Sequence, residues 1–328
     1  MALQLAGRWL WDFWFAKDGP DYHLFYLQAD RSLKKEELRH KHVSMGHAVS
    51  QDLRGWEVLP DALAPSPYQA GAPDEPFDSY TTWTGSIIRH AGLWYMFYTG
   101  GKQSEDALVQ RVGLATSSDL MTWEKHDGNP IITADPTWYE ILDLDAWHDH
   151  AWRDPYVFQH PQTGDFHAFI TARTKTGPTD GRGVIGHARS RDLLHWKVLP
   201  PVTEPGEFGH MEVPQVVQIG ERWALLFSVL SQQWSQARLA RLNGRHASGT
   251  HYLLADDVLG PYHLPADDFL QGDAHGSLYS GKLVHTPDGS LAFMAFENMT
   301  PGGEFVGALT DPIPVRVAPD GQLSLEKP

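Results

Sequence analysis

The chain has 328 residues, with 26 Lys+Arg against 41 Asp+Glu, a formal net charge of −15 and a mean hydropathy of −0.38. That length admits one large β or α/β domain or two modest ones, the acidic balance excludes a phosphate-neutralising nucleic-acid surface, and no apolar run approaches a membrane span. The absence of cysteine excludes disulfides, thiolate metal ligands and cysteine nucleophiles. The first residues, up to Phe15, lack the basic n-region, long apolar run and small-residue cleavage site of a secretory leader. The expectation from that start is a cytoplasmic protein without a membrane partner.

Aromatic residues travel with turn residues along the whole chain: 13 Trp, 11 Tyr and 14 Phe alongside 30 Gly and 23 Pro. This pairing predicts many short strands and little helix. In chain order, strand pairs are predicted at 9–15 with 22–28, 83–90 with 93–99, 154–159 with 166–172, 212–219 with 222–229, and 276–285 with 290–297. Turn signals join several of them, such as the His160–Asp165 and Thr286–Gly289 segments. The charged segment Ser32–Lys41 reads as a connector of one or two helical turns without a functional signal.

A repeat follows three of these pairs. Gly46–Trp56, Gly113–Trp123 and Gly186–Trp196 share the pattern G-x-A-x-S-x-D-L-x-x-W. Gly-x-Ala-x-Ser has the period of a strand with one close-packed face. Asp52, Asp119 and Asp192 stand where a turn is due and can bond nearby backbone N–H groups. Trp56, Trp123 and Trp196 open the next strand and plug its sheet. The repeat is architectural, so these residues are assigned to structure. Five units of about four strands predict a five-bladed β-propeller, all-β, forming one catalytic domain over residues 1–328 without a C-terminal β-sandwich.

In a propeller the innermost strands converge on a central channel. Their predicted starts carry Asp12, Thr84 with Ser86, Asp154, Glu212 and His275. Three carboxylates recur in blade register and are expected to meet. One to attack, one to protonate a leaving oxygen and one to hold the sugar is the set glycoside hydrolysis needs. Position alone equally allows each acid to close a turn at the head of its blade.

The neighbouring residues resemble glycoside hydrolase family 32 and its clan partner, family 68. Trp9-Leu10-Trp11-Asp12 followed by Tyr22–Tyr26 resembles the nucleophile motif and its next strand. Gly46-His47-Ala48 with Asp52-Leu53 resembles the Gly-His-Ala segment, and Thr84-Gly85-Ser86 resembles a substrate-contacting Ser-Gly-Ser element. Trp152-Arg153-Asp154-Pro155 resembles the Arg-Asp-Pro motif, and Glu212-Val213-Pro214 the Glu-Cys-Pro motif. The resemblance implies a retaining enzyme acting on β-fructofuranosides such as sucrose or short fructans. It implies Asp12 as nucleophile, Glu212 as acid/base and Asp154 as transition-state stabiliser. Trp11, Gln28, Trp83, Ser86, Arg153 and His275 are the implied or proposed sugar-binding residues, and no cofactor is implied. The sequence departs from the family around the nucleophile (Trp11-Asp12-Phe13-Trp14), at Val213 and Gln215, and at Met45.

Asp273-Ala274-His275-Gly276-Ser277 resembles a Gly-His-Gly-Ser segment of family 43 arabinanases and xylosidases, which share the five blades but invert configuration. There the histidine can hold a cation or ordered water on the propeller axis; the sequence shows no separate closed metal site. The Asp/His-rich segment Asp143–His150 reads either as a substrate-side loop or as a solvated one. Three readings therefore stay open: a retaining fructosidase, an inverting arabinofuranosidase or xylosidase, and a carbohydrate-binding propeller without catalysis. The oligomeric state is not legible.

Overall fold

The computed structural model describes residues 3–326. They fold into five antiparallel sheets in chain order, each a blade. The first blade is β1 (Arg8–Asp18), β2 (Asp21–Asp30), β3 (Ser44–Ser50) and β4 (Glu57–Leu63); the second is β5 (Thr81–His90), β6 (Leu93–Gly101), β7 (Arg111–Ser117) and β8 (Glu124–Lys125). The third is β9 (Trp152–Gln159), β10 (Phe166–Arg173), β11 (Gly183–Ser190) and β12 (Trp196–Leu199). The fourth is β13 (Glu212–Ile219), β14 (Arg222–Val229), β15 (Ser248–Ala255) and β16 (Gln271–Asp273). The fifth is β17 (Leu278–His285), β18 (Leu291–Met299), β19 (Phe305–Leu309), β20 (Ile313–Val317) and β21 (Leu323–Leu325). Strands β1, β5, β9, β13 and β17 touch in a ring, and Leu3 bridges to Leu309 beside the joint between the first and last blades. All five predicted pairs occur, with ends shifted by a few residues. The one α-helix among the described residues is Gln236–Arg241.

The repeat explains how three blades are built. Asp52 Oδ1 accepts from the N–H groups of Arg54 and Gly55 at 2.8 and 2.7 Å, and Asp119 and Asp192 do the same for Met121 with Thr122 and for Leu194 with His195. Leu53, Leu120 and Leu193 then take a left-handed backbone (φ of 61°, 64° and 66°) and are fully buried. Trp123 packs edge-on against Phe25 of the first blade, and Trp196 against Phe97 of the second. The Trp thus seals the seam to the preceding blade. The leading glycines have a steric cause: a Cβ on Gly46 would stand 2.2 Å from the Tyr26 ring, and one on Gly113 2.2 Å from the Phe77 ring.

Position two of the repeat exposes an acid-sensitive element. His47, Leu114 and His187 each pair across the sheet with a phenylalanine: Phe25, Phe97 and Phe169. His47 bonds His23 (Nε2 to Nδ1, 2.9 Å), and His187 bonds His167 in the same register at 2.8 Å. Burial pushes His47 and His187 down to about 3 and His167 to about 4. The unfolded chain takes up these protons near the ordinary value of 6.5, so stability falls as pH drops below 6.5 and continues to fall toward 3. His47 and His187 each remove on the order of 2 kcal/mol between pH 6.5 and 5, and the less enclosed His167 less. Since Leu114 fills the same register, His47→Leu is expected to move the acid-unfolding midpoint to lower pH while leaving the urea midpoint at pH 8 little changed. An unmoved acid midpoint, followed by fluorescence, would remove His47 from this account.

Candidate active site

The inner strands share one irregularity. Each loses register with its neighbour at the same level: at Asp12 in β1, Thr84 in β5, Asp154-Pro155 in β9, Val213-Pro214 in β13 and Ser280-Gly281 in β17. Asp154, Val213 and Ser280 sit there at φ of 55°, 54° and 50°. Bulges re-aim side chains and local backbone at a barrel or propeller rim. Here they turn Asp12, Thr84 and Asp154, and the residues flanking Val213 and Ser280, toward one cleft. The cleft holds about 680 Å³ and is lined by Asp12, Asp154 and Glu212 together with Trp11, Trp83, Arg153 and His275.

Asp12 receives Ser280 on Oδ1 at 2.6 Å and Thr84 on Oδ2 at 2.5 Å, so both oxygens are fixed by neighbouring inner strands. Burial raises its pKa above the ordinary value, Glu212 adds to this, and the two hydroxyls with Lys282 offset only part. Asp154 Oδ2 accepts from Thr171 Oγ1 at 2.8 Å and from the Val213 N–H at 3.1 Å. Burial, helped by Asp12 and Glu212 and opposed by Arg153, pushes Asp154 up to about 7. Glu212 Oε1 receives Arg153 Nη2 at 2.7 Å, and Oε2 receives the Tyr279 hydroxyl at 2.5 Å. Burial also pushes Glu212 up, but Arg153, His210 and Tyr279 together outweigh it and hold the carboxyl below its ordinary value. The protein's own groups therefore favour the ionised form of Glu212 and the protonated form of Asp154.

Arg153 is the junction. It donates to Asp149 Oδ2 at 2.9 Å, to Gln110 Oε1 at 3.0 Å and to Glu212, and its Nε lies 3.6 Å from Asp154. The Asp143–His150 loop reaches the cleft through His148 and Asp149, and Trp147 anchors it by donating to His210 Nε2 at 2.9 Å. His148, Asp149 and His210 bring three ligand-type atoms within 4.8 Å of one another. His210 already faces the N–H groups of Trp147, Arg153 and Gln233, and Arg153 shares the Asp149 carboxylate. Protein donors thus engage His210 Nε2 and Asp149 Oδ2, while Asp149 Oδ1 is buried without a hydrogen-bond partner.

Three sequence expectations change. Gln28 does not line the cleft: its amide donates to Asp61 at 2.7 Å and to Ser44 at 3.3 Å, locking its own blade. Ser86 is buried and accepts from the Val157 N–H at 2.9 Å, so it joins the second blade to the third; Thr84 takes the cleft position instead. His275 lies on the rim, in a turn where Asp273 Oδ1 accepts its N–H at 2.8 Å, and the register position in the fifth blade belongs to Ser280.

The connector also contributes, against expectation. Its second 3-10 turn, Glu36–Lys41, lays Arg39, His40 and Lys41 along the cleft wall. The Arg39 guanidinium packs 4.1 Å from the Phe305 ring centroid, and Trp83 donates to the His40 carbonyl at 2.8 Å. Tyr279 and Ser280, which bond Glu212 and Asp12, were not expected from the sequence. A signal for them was present: Ser280-Gly281 repeats the Thr84-Gly85 pattern of a small hydroxyl residue before glycine at a bulge.

The model of the glycosyl hydrolases family 32 N-terminal domain matches residues 14–301. The chain belongs to glycosyl hydrolase family 32. A β-fructofuranosidase of Arabidopsis thaliana, insoluble isoenzyme CWINV4, is 32% identical over 197 residues, covering 59% of this chain and 29% of the relative. A bifunctional fructosyltransferase of Allium cepa is 36% identical over 214 residues, covering 64% of this chain and 31% of the relative. The chain thus spans about a third of the length of these curated relatives. The inulosucrase of Halalkalicoccus jeotgali, solved with kestose, shares the fold at a TM-score of 0.78 and 20% identity, over 98% of this chain and 87% of that one. Family 32 membership sets aside the family 43 reading. The match begins after Asp12, so the case for that residue rests on its place in the cleft.

Proposed function

We propose that this chain is a retaining glycosidase of β-fructofuranosides, with sucrose and short fructo-oligosaccharides as substrates. The observation that carries this is the convergence of Asp12, Asp154 and Glu212, from three blades, on one cleft. Asp12 attacks the anomeric carbon and forms the fructosyl-enzyme intermediate; Ser280 and Thr84 orient its carboxylate. Glu212 protonates the leaving oxygen and then takes a proton from the incoming water. Asp154 accepts sugar hydroxyls and stabilises the cationic transition state.

Glu212 needs a proton that its protein neighbours disfavour. Substrate binding supplies the change. Sugar hydroxyls that bond Asp154 favour its ionised form, and the new charge beside Glu212 raises the acid/base. The proton held by the site thus moves toward Glu212 as the sugar seats. Nothing in this scheme calls for a cofactor.

The test is free-fructose release from sucrose and from short inulin and levan oligosaccharides. Glu212→Gln is expected to lower kcat by at least about a hundredfold, because general acid/base help is worth that much or more. Longer oligosaccharides without free fructose would assign transfer to a sugar acceptor. No reaction of any fructoside would remove the proposal in favour of the binding-propeller reading.

A further inference from the structure

One buried charge has no part in the mechanism above. Lys282, on β17 two residues after Ser280, is 4% exposed and does not line the cleft. Its Nζ donates to the Val213 carbonyl at 2.9 Å and to the Pro214 carbonyl at 3.3 Å. Val213 is the residue after Glu212, and it is β-branched at φ 54°, a conformation such residues rarely hold. Its N–H in turn donates to Asp154 Oδ2. One lysine therefore holds the carbonyl of Val213, the residue that follows Glu212 and whose N–H bonds Asp154.

We propose that Lys282 is a positioning residue of the active site: its ammonium fixes the Val213 bulge, from which Glu212 projects and whose N–H bonds Asp154. This rests on the fructosidase reading. The charges bearing on it are Asp12 from β1 and Asp154 from β9, with carbonyls of β13 at its tip. Asp12 also feels Glu212 and the hydroxyls of Ser280 and Thr84; Asp154 also feels Arg153 and Glu212. Burial brings Lys282 itself down to about 8, against the pull of the two aspartates. Removing its charge leaves these carboxylates with less compensation, so Asp12 ionises only at higher pH. The acid limb of kcat/KM, which reports the free enzyme's nucleophile, moves up with it.

The chain contains no cysteine, which permits a clean experiment. Lys282→Cys is alkylated in denaturant, one portion with bromoethylamine and one with iodoacetamide, and both are refolded. The first restores an ammonium of near-native length; the second is neutral. Fructose release is followed from pH 4 to 9 beside the wild type. The aminoethyl form is expected to follow the wild-type profile. The neutral form is expected to lose about tenfold in kcat and to show an acid limb about one unit higher. Lys282→Gln, which keeps a donor and loses the charge, is expected to show the same displaced limb with a smaller loss in kcat. Matching profiles for the neutral and aminoethyl forms would overturn the proposal. So would a neutral form and a Gln variant that never fold while the aminoethyl form does, since the lysine would then serve the fold alone. A wild type inactive on every fructoside would instead refute the functional reading beneath it.

Discussion

Asp12→Asn is expected to reduce kcat on fructosides by at least about 10⁴-fold, the scale seen when a covalent nucleophile is removed. The amide cannot form the fructosyl ester. The fold, however, has little to lose. Both Asp12 oxygens accept from hydroxyls, of Ser280 and Thr84, and hydroxyls rotate to accept from an amide instead. The carboxylate is also costly where it stands, since burial and Glu212 hold its pKa above the ordinary value. A group with a raised folded pKa withdraws stability as pH climbs above its unfolded value. Asp12→Asn removes that cost, so its Tm at pH 7 is expected to equal or exceed that of the wild type. Calorimetry and fructose release on the same preparation separate the two effects. Turnover within tenfold of the wild type would deny Asp12 the nucleophile role, whatever the Tm.

The fold was legible because the blade repeats in the sequence. Gly, Asp, Leu and Trp in the G-x-A-x-S-x-D-L-x-x-W pattern each answer to a local cause: a ring over the glycine, two N–H groups on the aspartate, a left-handed buried leucine, a seam closed by tryptophan. The three acids were legible because they keep blade register. What escaped depends on side chains leaving that register. Gln28 and Ser86 lie on inner or second strands, yet alternation turns Gln28 to its own blade and Ser86 to the next one. His275 opens the right segment but lies in a turn before the strand, and the bulge hands its place to Ser280. Arg39 escaped because a charged connector has no periodicity to show which way it faces. Its guanidinium, set against the rings of Phe305 and Trp11, is what brings it to the cleft.

Arg153→Met is expected to be the most disruptive single change in the cleft, for charge rather than for size. Arg153 is a buried cation touching Asp149 and Glu212 within hydrogen-bond distance and Asp154 at 3.6 Å. Methionine fills part of the same volume and leaves three carboxylates facing one another without it. Removing one partner of a buried ion pair costs about 3–5 kcal/mol, because the remaining charge keeps its desolvation penalty. The sign of the pH dependence follows. Without the guanidinium, burial governs Glu212 and its pKa rises above the unfolded value. A raised carboxyl pKa withdraws stability as pH climbs, so the deficit relative to the wild type should be largest near pH 8 and narrow toward pH 5. Catalysis should fail by a different route: Glu212 then carries its proton in the free enzyme, but Asp154 and Glu212 lose the group that aligns them. Arg153→Lys restores the charge without the planar fork, so it should recover most of the stability and less of the rate. Urea denaturation of both variants at pH 5 and 8, beside fructose release, tests each step. Equal stability of Arg153→Met and the wild type at pH 8 would mean that the three carboxylates are compensated elsewhere, with His210, 3.5 Å from Asp149 and 3.8 Å from Glu212, the first group to ask next.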